Sequence, residues 1–449
     1  MNGLHHRPRC VVLGLDGLPL SLAQRLSRQG VTPNLATLAL DPRAGELQAE
    51  APELSPVNWT SFSTASGPET HGIFGFVEMD RRDYRLRMVN GDDVQSPSVF
   101  QRLGEQGLTS KALNLPNTYP ARSFPGMLVA GFVAPELSRA VFPRVLAGPL
   151  QDAGYILEAD TVRGKADPDY LLGALHQTLA GRERALDLLW PDLAWDLFVF
   201  VLTETDRLGH FLFAALDNPE DPRHEACLDF MREWDRCLGR FLERYAALPE
   251  PKRLLSLADH GFTCLKTEVD LNVWLQQRGY LHLQGVPSDE LDASVISPGT
   301  TAFALDPGRI YLHSREAFAR GTVSRRELDG MRHRLRDELL QLRFDGQPVL
   351  EDVHLGDELY PQSPFSHTPD LVCEARPGYE LKAKFDRTAI FGRFGRYGTH
   401  TRGDAFLYDS EGERPRRVRD VGQAVLDFFH RPRIQIGRAS CRERVCVGV

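Results

Sequence analysis

The sequence predicts an α/β chain built on a doubly wound, mostly parallel sheet flanked by helices, and three observations predict it. Apolar runs without polar alternation recur at Cys10 to Leu15, Asp196 to Glu204 and Arg253 to Asp259, the pattern of strands covered on both faces. Helical stretches alternate with these runs. Acids and histidines stand where the runs stop, and open α/β sheets place their sites at those strand ends.

The first strand, "CVVLGL", stops at Asp16-Gly17, and "LSLAQRLSRQG" then reads as a helix closed by Gly30. From Glu78 to about Gly164 the chain is punctuated by Pro and Gly and is expected to shape a substrate pocket. A long helical stretch from Asp169 to Trp190 precedes the second strand, and "RHEACLDFMREWDRCLGRFLERYAAL" precedes the third. Turns and mixed patterns from Leu271 to about Arg393 predict a smaller cap subdomain inserted before His400. "PDLVCEAR", from Pro369, reads as a later strand, and "VRDVGQAVLDFFH" as a final helix. The catalytic domain is expected to span residues 8–435.

At 449 residues the chain can bury a large core. Its 42% hydrophobic and 25% charged residues are ordinary for a globular protein. No apolar run approaches the ~20 residues of a membrane span. "MNGLHHRPRC" carries charge but no apolar signal segment, so a cytoplasmic location is expected. A net charge of −8 argues against a nucleic-acid polymer as partner. It leaves room for a small phosphorylated substrate, since bound cations reverse a local field. The seven cysteines have no CxxC spacing and read as free thiols. Two of them, Cys441 and Cys446, lie near "IGRASCRERV", which resembles the conceptual translation of a sequencing-adapter read-through. Residues 436–449 are therefore expected to be a non-native tail. Oligomeric state leaves no mark in the sequence.

The residues at the strand ends carry the chemistry. Asp206 and His210 are four apart, so one helical turn sets both on one face, converging on a single ion. His400 would complete three protein ligands and leave positions open. Asp16, Asp259 and His260 would hold a second ion. Neighbouring residues in a regular strand point apart, so Asp259 and His260 can share an ion only at an irregular turn, which Gly261 provides. Two ions can clamp a phosphoryl group, and a serine hydroxyl beside one of them ionises readily. Ser55, in "LSPVNW", is the candidate nucleophile, forming a phosphoseryl intermediate that water resolves.

These segments resemble, in order, the type I phosphodiesterase/nucleotide pyrophosphatase family of the alkaline phosphatase superfamily, and most of all its prokaryotic phosphohydrolase and phosphomutase branch. The resemblance is carried by "GLDG", "SPVNWTSFSTASGPETHGIFGF", "TDRLGHFLF", "ADHGF", "DLNVWLQQRGYL" and "GTH", from about Val11 to Asp404. It implies an alkaline-phosphatase-like fold and two divalent ions, zinc first, with manganese or iron as alternatives. It assigns Asp206, His210 and His400 to one ion, and Asp16, Ser55, Asp259 and His260 to the other. Nucleotide pyrophosphatases carry a phosphate-binding asparagine where this chain has Phe76, which weakens the case for nucleotide diesters. Asn58 and the amides near Ser55 are the candidate replacements.

Alternative readings attach to single residues. Asp16 alone could cap a helix. The hydroxyls of "TSFST" compete with Ser55 but suit helix packing. His71 and His367 read as structural, and Arg207 fits either substrate phosphate or an ion pair. Phosphomonoesterase, phosphomutase and phosphonate hydrolase chemistry use related scaffolds. Sulfatase chemistry does not fit, because "LSPVNW" lacks the Cys/Ser-x-Pro-x-Arg pattern. A metal-containing binding or regulatory protein without turnover is the non-enzyme alternative, and the intact set of ligand-type residues argues against it.

Overall fold

The computed structural model describes residues 7–430; the expected non-native tail lies outside them. An eight-stranded sheet runs in the order Ala44–Leu47, Ala405–Asp409, Lys252–Leu257, Arg9–Leu15, Leu197–Leu202, Ser110–Leu115, Gly126–Ala130, Val141–Phe142. The five strands from Lys252–Leu257 to Gly126–Ala130 are parallel, and the strands outside them pair antiparallel. Every residue of Arg9–Leu15 and Leu197–Leu202 is buried, as expected of strands with helices on both faces. The helices form two separately packed groups. Ser55–Thr64 packs with Val418–His430 and Val99–Glu105, whereas Leu20–Arg28, Pro33–Ala39, Pro168–Leu189, Glu204–Asp217 and His224–Ala246 pack together. The mostly parallel, helix-flanked sheet is the predicted fold.

The strands Lys252–Leu257, Arg9–Leu15 and Leu197–Leu202 are neighbours at the sheet centre. Their C-terminal ends therefore bring Asp259-His260, Asp16 and the Asp206/His210 helix to one crevice, although these residues are up to 244 positions apart in sequence. His400 arrives from Gly398–Thr401, which pairs antiparallel with Gly261–Cys264, with His400 opposite Phe262.

A second hydrophobic core gathers residues between Val269 and Phe385, joined by Met79 and Tyr84. Its four-stranded antiparallel sheet runs Ala302–Leu305, Arg309–Leu312, Leu371–Ala375, Leu350–Leu355. The strand read at "PDLVCEAR" belongs here and not to the main sheet. Among the described residues no helix is long and apolar enough to cross a membrane.

Candidate metal centre

Asp16 is the first residue after the central strand, and Gly17 turns the chain with φ 65°, a conformation that glycine takes without a side-chain clash. The Gly17 amide donates to Asp259 Oδ1 at 3.1 Å, which ties two strand ends together. Trp59 Nε1 donates to Asp16 Oδ2 at 2.8 Å. Gly14 makes room for that indole: a Cβ there would lie 2.5 Å from Trp59 Cη2. Asp206 Oδ2 accepts from Arg207 Nη1 at 2.6 Å, and Arg207 also pairs with Glu158 and covers the Phe132 ring. The ion-pair alternative for Arg207 is the one observed.

Each carboxylate is thus held by one oxygen. The other, Asp16 Oδ1, Asp206 Oδ1 or Asp259 Oδ2, is buried without a hydrogen-bond partner. Orphaned buried carboxylate oxygens are costly, and three in one crevice call for a cation. The histidines are arranged in the same sense. His260 Nδ1 donates to Gly261 O at 3.0 Å and His400 Nδ1 to Glu53 O at 2.8 Å, which leaves both Nε2 lone pairs directed at the carboxylates.

Asp206 Oδ1 lies 3.4 Å from His210 Nε2 and 3.3 Å from His400 Nε2, and the two Nε2 atoms are 3.1 Å apart. A tetrahedral ion with bonds of about 2.0–2.1 Å spaces its ligands by about 3.3 Å, so this donor set fits one. His260 Nε2 stands between the groups, 3.4 Å from Asp259 Oδ2, 3.8 Å from Asp206 Oδ1 and 4.0 Å from Asp16 Oδ1. Ligand atoms of Asp16, Asp259 and His260 all fall within 4.8 Å of one another, as do those of Asp206, His260 and His400. The residues present fit two adjacent divalent ions.

Electrostatics agree. Burial, then repulsion by Asp206, pushes the Asp259 carboxyl up from 3.8 to about 7. Burial and the charges of Asp259 and Asp206 push Asp16 well above its usual range. Burial opposes ionisation of Asp206, yet the Arg207 guanidinium beside it helps to hold it well below the usual range. Burial also lowers His210, His260 and His400, which keeps the imidazoles neutral and able to ligate.

Ser55 opens the helix Ser55–Thr64, is 2% exposed, and sets its Oγ 3.2 Å from His260 Nε2. No side chain caps this helix, so the partial positive charge of its first turn is free to act at Ser55. The competing hydroxyls bond back into the same helix: Thr60 to Pro56 O at 2.6 Å, Ser61 to Val57 O at 2.9 Å, Thr64 to Thr60 O at 2.7 Å.

Asn58 is placed differently from expectation. Its Oδ1 accepts from Glu50 N at 2.7 Å and its Nδ2 donates to Leu54 O at 3.1 Å, so it clamps the loop before the helix and offers no donor to a phosphoryl oxygen. His71 is structural: Nδ1 accepts from Ile73 N at 3.1 Å, Nε2 donates to Ser61 Oγ at 2.9 Å, and burial lowers its pKa to about 3. His367 Nε2 donates to Gly72 O at 2.8 Å. Sequence reasoning missed the Trp59 contact, the Glu53 carbonyl and Arg396, whose Nη1 lies 3.5 Å from His210 Nδ1. Only Arg396 had a local signal, as a basic residue four positions before His400.

A profile of the type I phosphodiesterase/nucleotide pyrophosphatase family matches residues 10–402. No curated protein sequence matches the chain. Among solved structures, phosphonoacetate hydrolase from Sinorhizobium meliloti 1021, in complex with phosphonoformate, is similar at 14% identity. The likeness covers 94% of this chain and 95% of that one, with a TM-score of 0.63. Murine ectonucleotide pyrophosphatase/phosphodiesterase 5, an inactive variant in complex with AMP, is similar at 12% identity over the same shares, with a TM-score of 0.55. The human counterpart gives 11% identity over the same shares and a TM-score of 0.52. These likenesses show the alkaline-phosphatase-like fold. The chain is a hydrolase acting on phosphoric ester bonds and belongs to the type I phosphodiesterase/nucleotide pyrophosphatase family.

Proposed function

We propose that the chain is a metal-dependent phosphoester hydrolase of the phosphodiesterase type with Ser55 as its nucleophile. One observation carries this reading: three orphaned carboxylate oxygens and three imidazole Nε2 atoms converge beside one serine hydroxyl at a helix N-terminus. Asp206, His210 and His400 would hold one divalent ion, and Asp16, Asp259, His260 and Ser55 the other. Imidazole and carboxylate donors suit zinc, and also manganese or iron. When bound, such ions neutralise phosphoryl oxygens and favour in-line displacement.

The chain supplies position and field. The first helical turn fixes Ser55 Oγ and stabilises negative charge there. Trp59, Gly17 and Arg207 orient the three carboxylates, and the carbonyls of Gly261 and Glu53 orient two imidazoles. Ser55 Oγ gives up its proton and bonds to phosphorus as the bond from phosphorus to the ester oxygen breaks, and the leaving oxygen takes up a proton. Water then attacks the phosphoseryl group, regenerating the serine hydroxyl and releasing the phosphate product. Phe76 packs with Leu54, Val57 and Ile73 and donates no hydrogen bond, which favours a phosphoester other than a nucleotide diester. The second core supports reading residues 271–393 as the inserted cap.

The test is a rapid acid quench of the metal-loaded protein during turnover of nitrophenyl phosphate or bis-nitrophenyl phosphate, followed by peptide mass analysis. A phosphoryl group on the Ser55 peptide, absent in Ser55→Ala, is expected. A Ser55→Ala protein with unchanged turnover would overturn the covalent route.

A further inference from the structure

The two donor groups differ in the charge around them. Asp16 and Asp259 bring two carboxylates, and their second oxygens accept from neutral donors, the Trp59 indole at 2.8 Å and the Gly17 amide at 3.1 Å. Among the described residues neither forms an ion pair with Arg or Lys; His260 Nε2 lies 3.4 Å from Asp259 Oδ2 and 4.0 Å from Asp16 Oδ1, the two carboxylates repel each other, and Arg207 reaches Asp16 only as a longer-range charge. Asp206, His210 and His400 bring a single carboxylate, already bonded to the Arg207 guanidinium at 2.6 Å.

His210 also lacks the carbonyl that its partners enjoy. Where His260 and His400 donate from Nδ1 to oxygens at 3.0 and 2.8 Å, His210 Nδ1 faces Arg396 Nη1 at 3.5 Å. Glu380 accepts from Arg396 at 2.7 Å but is shared with Lys382 at 2.6 Å. One carboxylate thus serves two cations, with Glu268 acting on Arg396 only as a longer-range charge, so the guanidinium charge facing His210 Nδ1 is only partly neutralised. A guanidinium keeps its charge at all accessible pH. It repels an arriving divalent cation and opposes the Nδ1 proton that a neutral histidine ligating through Nε2 must carry.

Resting on the two-ion reading above, we infer that the two ions are held unequally. The Asp16/Asp259/His260 ion is tight and retained. The Asp206/His210/His400 ion is weak and exchangeable, and Arg396 sets that weakness. Activity then follows the external metal concentration through the second ion alone.

The experiment titrates metal-stripped full-length protein with Zn2+ against a chromophoric chelator. Two ions whose affinities differ at least tenfold, about 1.4 kcal/mol, are expected in the unmodified chain. Arg396→Gln should tighten the weaker site about tenfold and leave the tighter one unmoved, while Arg396→Lys, which keeps the charge, should leave both unchanged. Glu380→Gln removes the neutralising acid and should weaken the weaker site further, a second variant acting in the opposite direction. His210→Ala should remove the weak ion only. Equal affinities, an Arg396→Gln protein with an unchanged weak site, or loss of the tight ion in His210→Ala would overturn the inference. A chain that binds no Zn2+ would defeat the two-ion reading itself, and this inference with it.

Discussion

Replacing Asp259 by Asn should stabilise the metal-stripped protein at the same time as it weakens metal binding. In the folded chain burial and the Asp206 charge raise the Asp259 carboxyl from 3.8 to about 7. Holding it ionised above pH 7 therefore costs roughly 4 kcal/mol. The sign follows from linkage: with the folded pKa above the unfolded one, the group's favourable contribution is full below about 3.8 and is lost as pH rises through about 7. Asn keeps the shape and still accepts the Gly17 amide bond at Oδ1, seen at 3.1 Å in the parent, but carries no charge. Denaturant unfolding in the presence of a chelator reads the difference. At pH 8 Asp259→Asn should exceed the parent by up to about 4 kcal/mol, and at pH 4, where the parent carboxyl is protonated, the two should nearly coincide. With metal supplied at pH 8 the order should reverse, because only the parent gains the binding free energy of the Asp16/Asp259/His260 ion. A variant that is equally destabilised at both pH values without metal would refute the electrostatic argument.

Three further outcomes follow from individual contacts. Ser55→Ala should keep both ions by elemental analysis and lose turnover by orders of magnitude. Trp59→Phe removes the 2.8 Å donor to Asp16 Oδ2 and should weaken one ion by about 10–100-fold in a chelator titration, with the other unaffected. His71→Asn breaks contacts to Ile73 N and Ser61 Oγ and should cost about 1–3 kcal/mol of unfolding free energy while metal content stays intact.

The central strands were legible because burial on both faces leaves unbroken apolar runs, and helices of 22 and 23 residues leave long periodic ones. The Asp206/His210 pair was legible because helical spacing alone sets both side chains on one face. Edge strands were not: Ala44–Leu47 reads AGEL and Val141–Phe142 is two residues long, too short for a period. Ala405–Asp409 carried a readable signal, an apolar "AFLY" run just after His400. The contacts that aim the donors were hidden for a different reason. The Glu53 carbonyl and the Gly17 amide are main-chain groups, which every residue possesses. Trp59 reaches Asp16 across 43 residues through a gap defined by the missing Cβ of Gly14. Asn58 misled because a polar residue near a nucleophile suggests a substrate contact. Its helix is buried throughout, and the preceding loop takes up its hydrogen bonds.

The central claim, that phosphoester cleavage here depends on ions held by these seven residues, is tested most directly by stripping the protein of metal and adding Zn2+ or Mn2+ back. Hydrolysis of nitrophenyl phosphate and bis-nitrophenyl phosphate should vanish on stripping and return, with the diester preferred, as two equivalents rebind. Undiminished hydrolysis by fully metal-free protein would contradict the account.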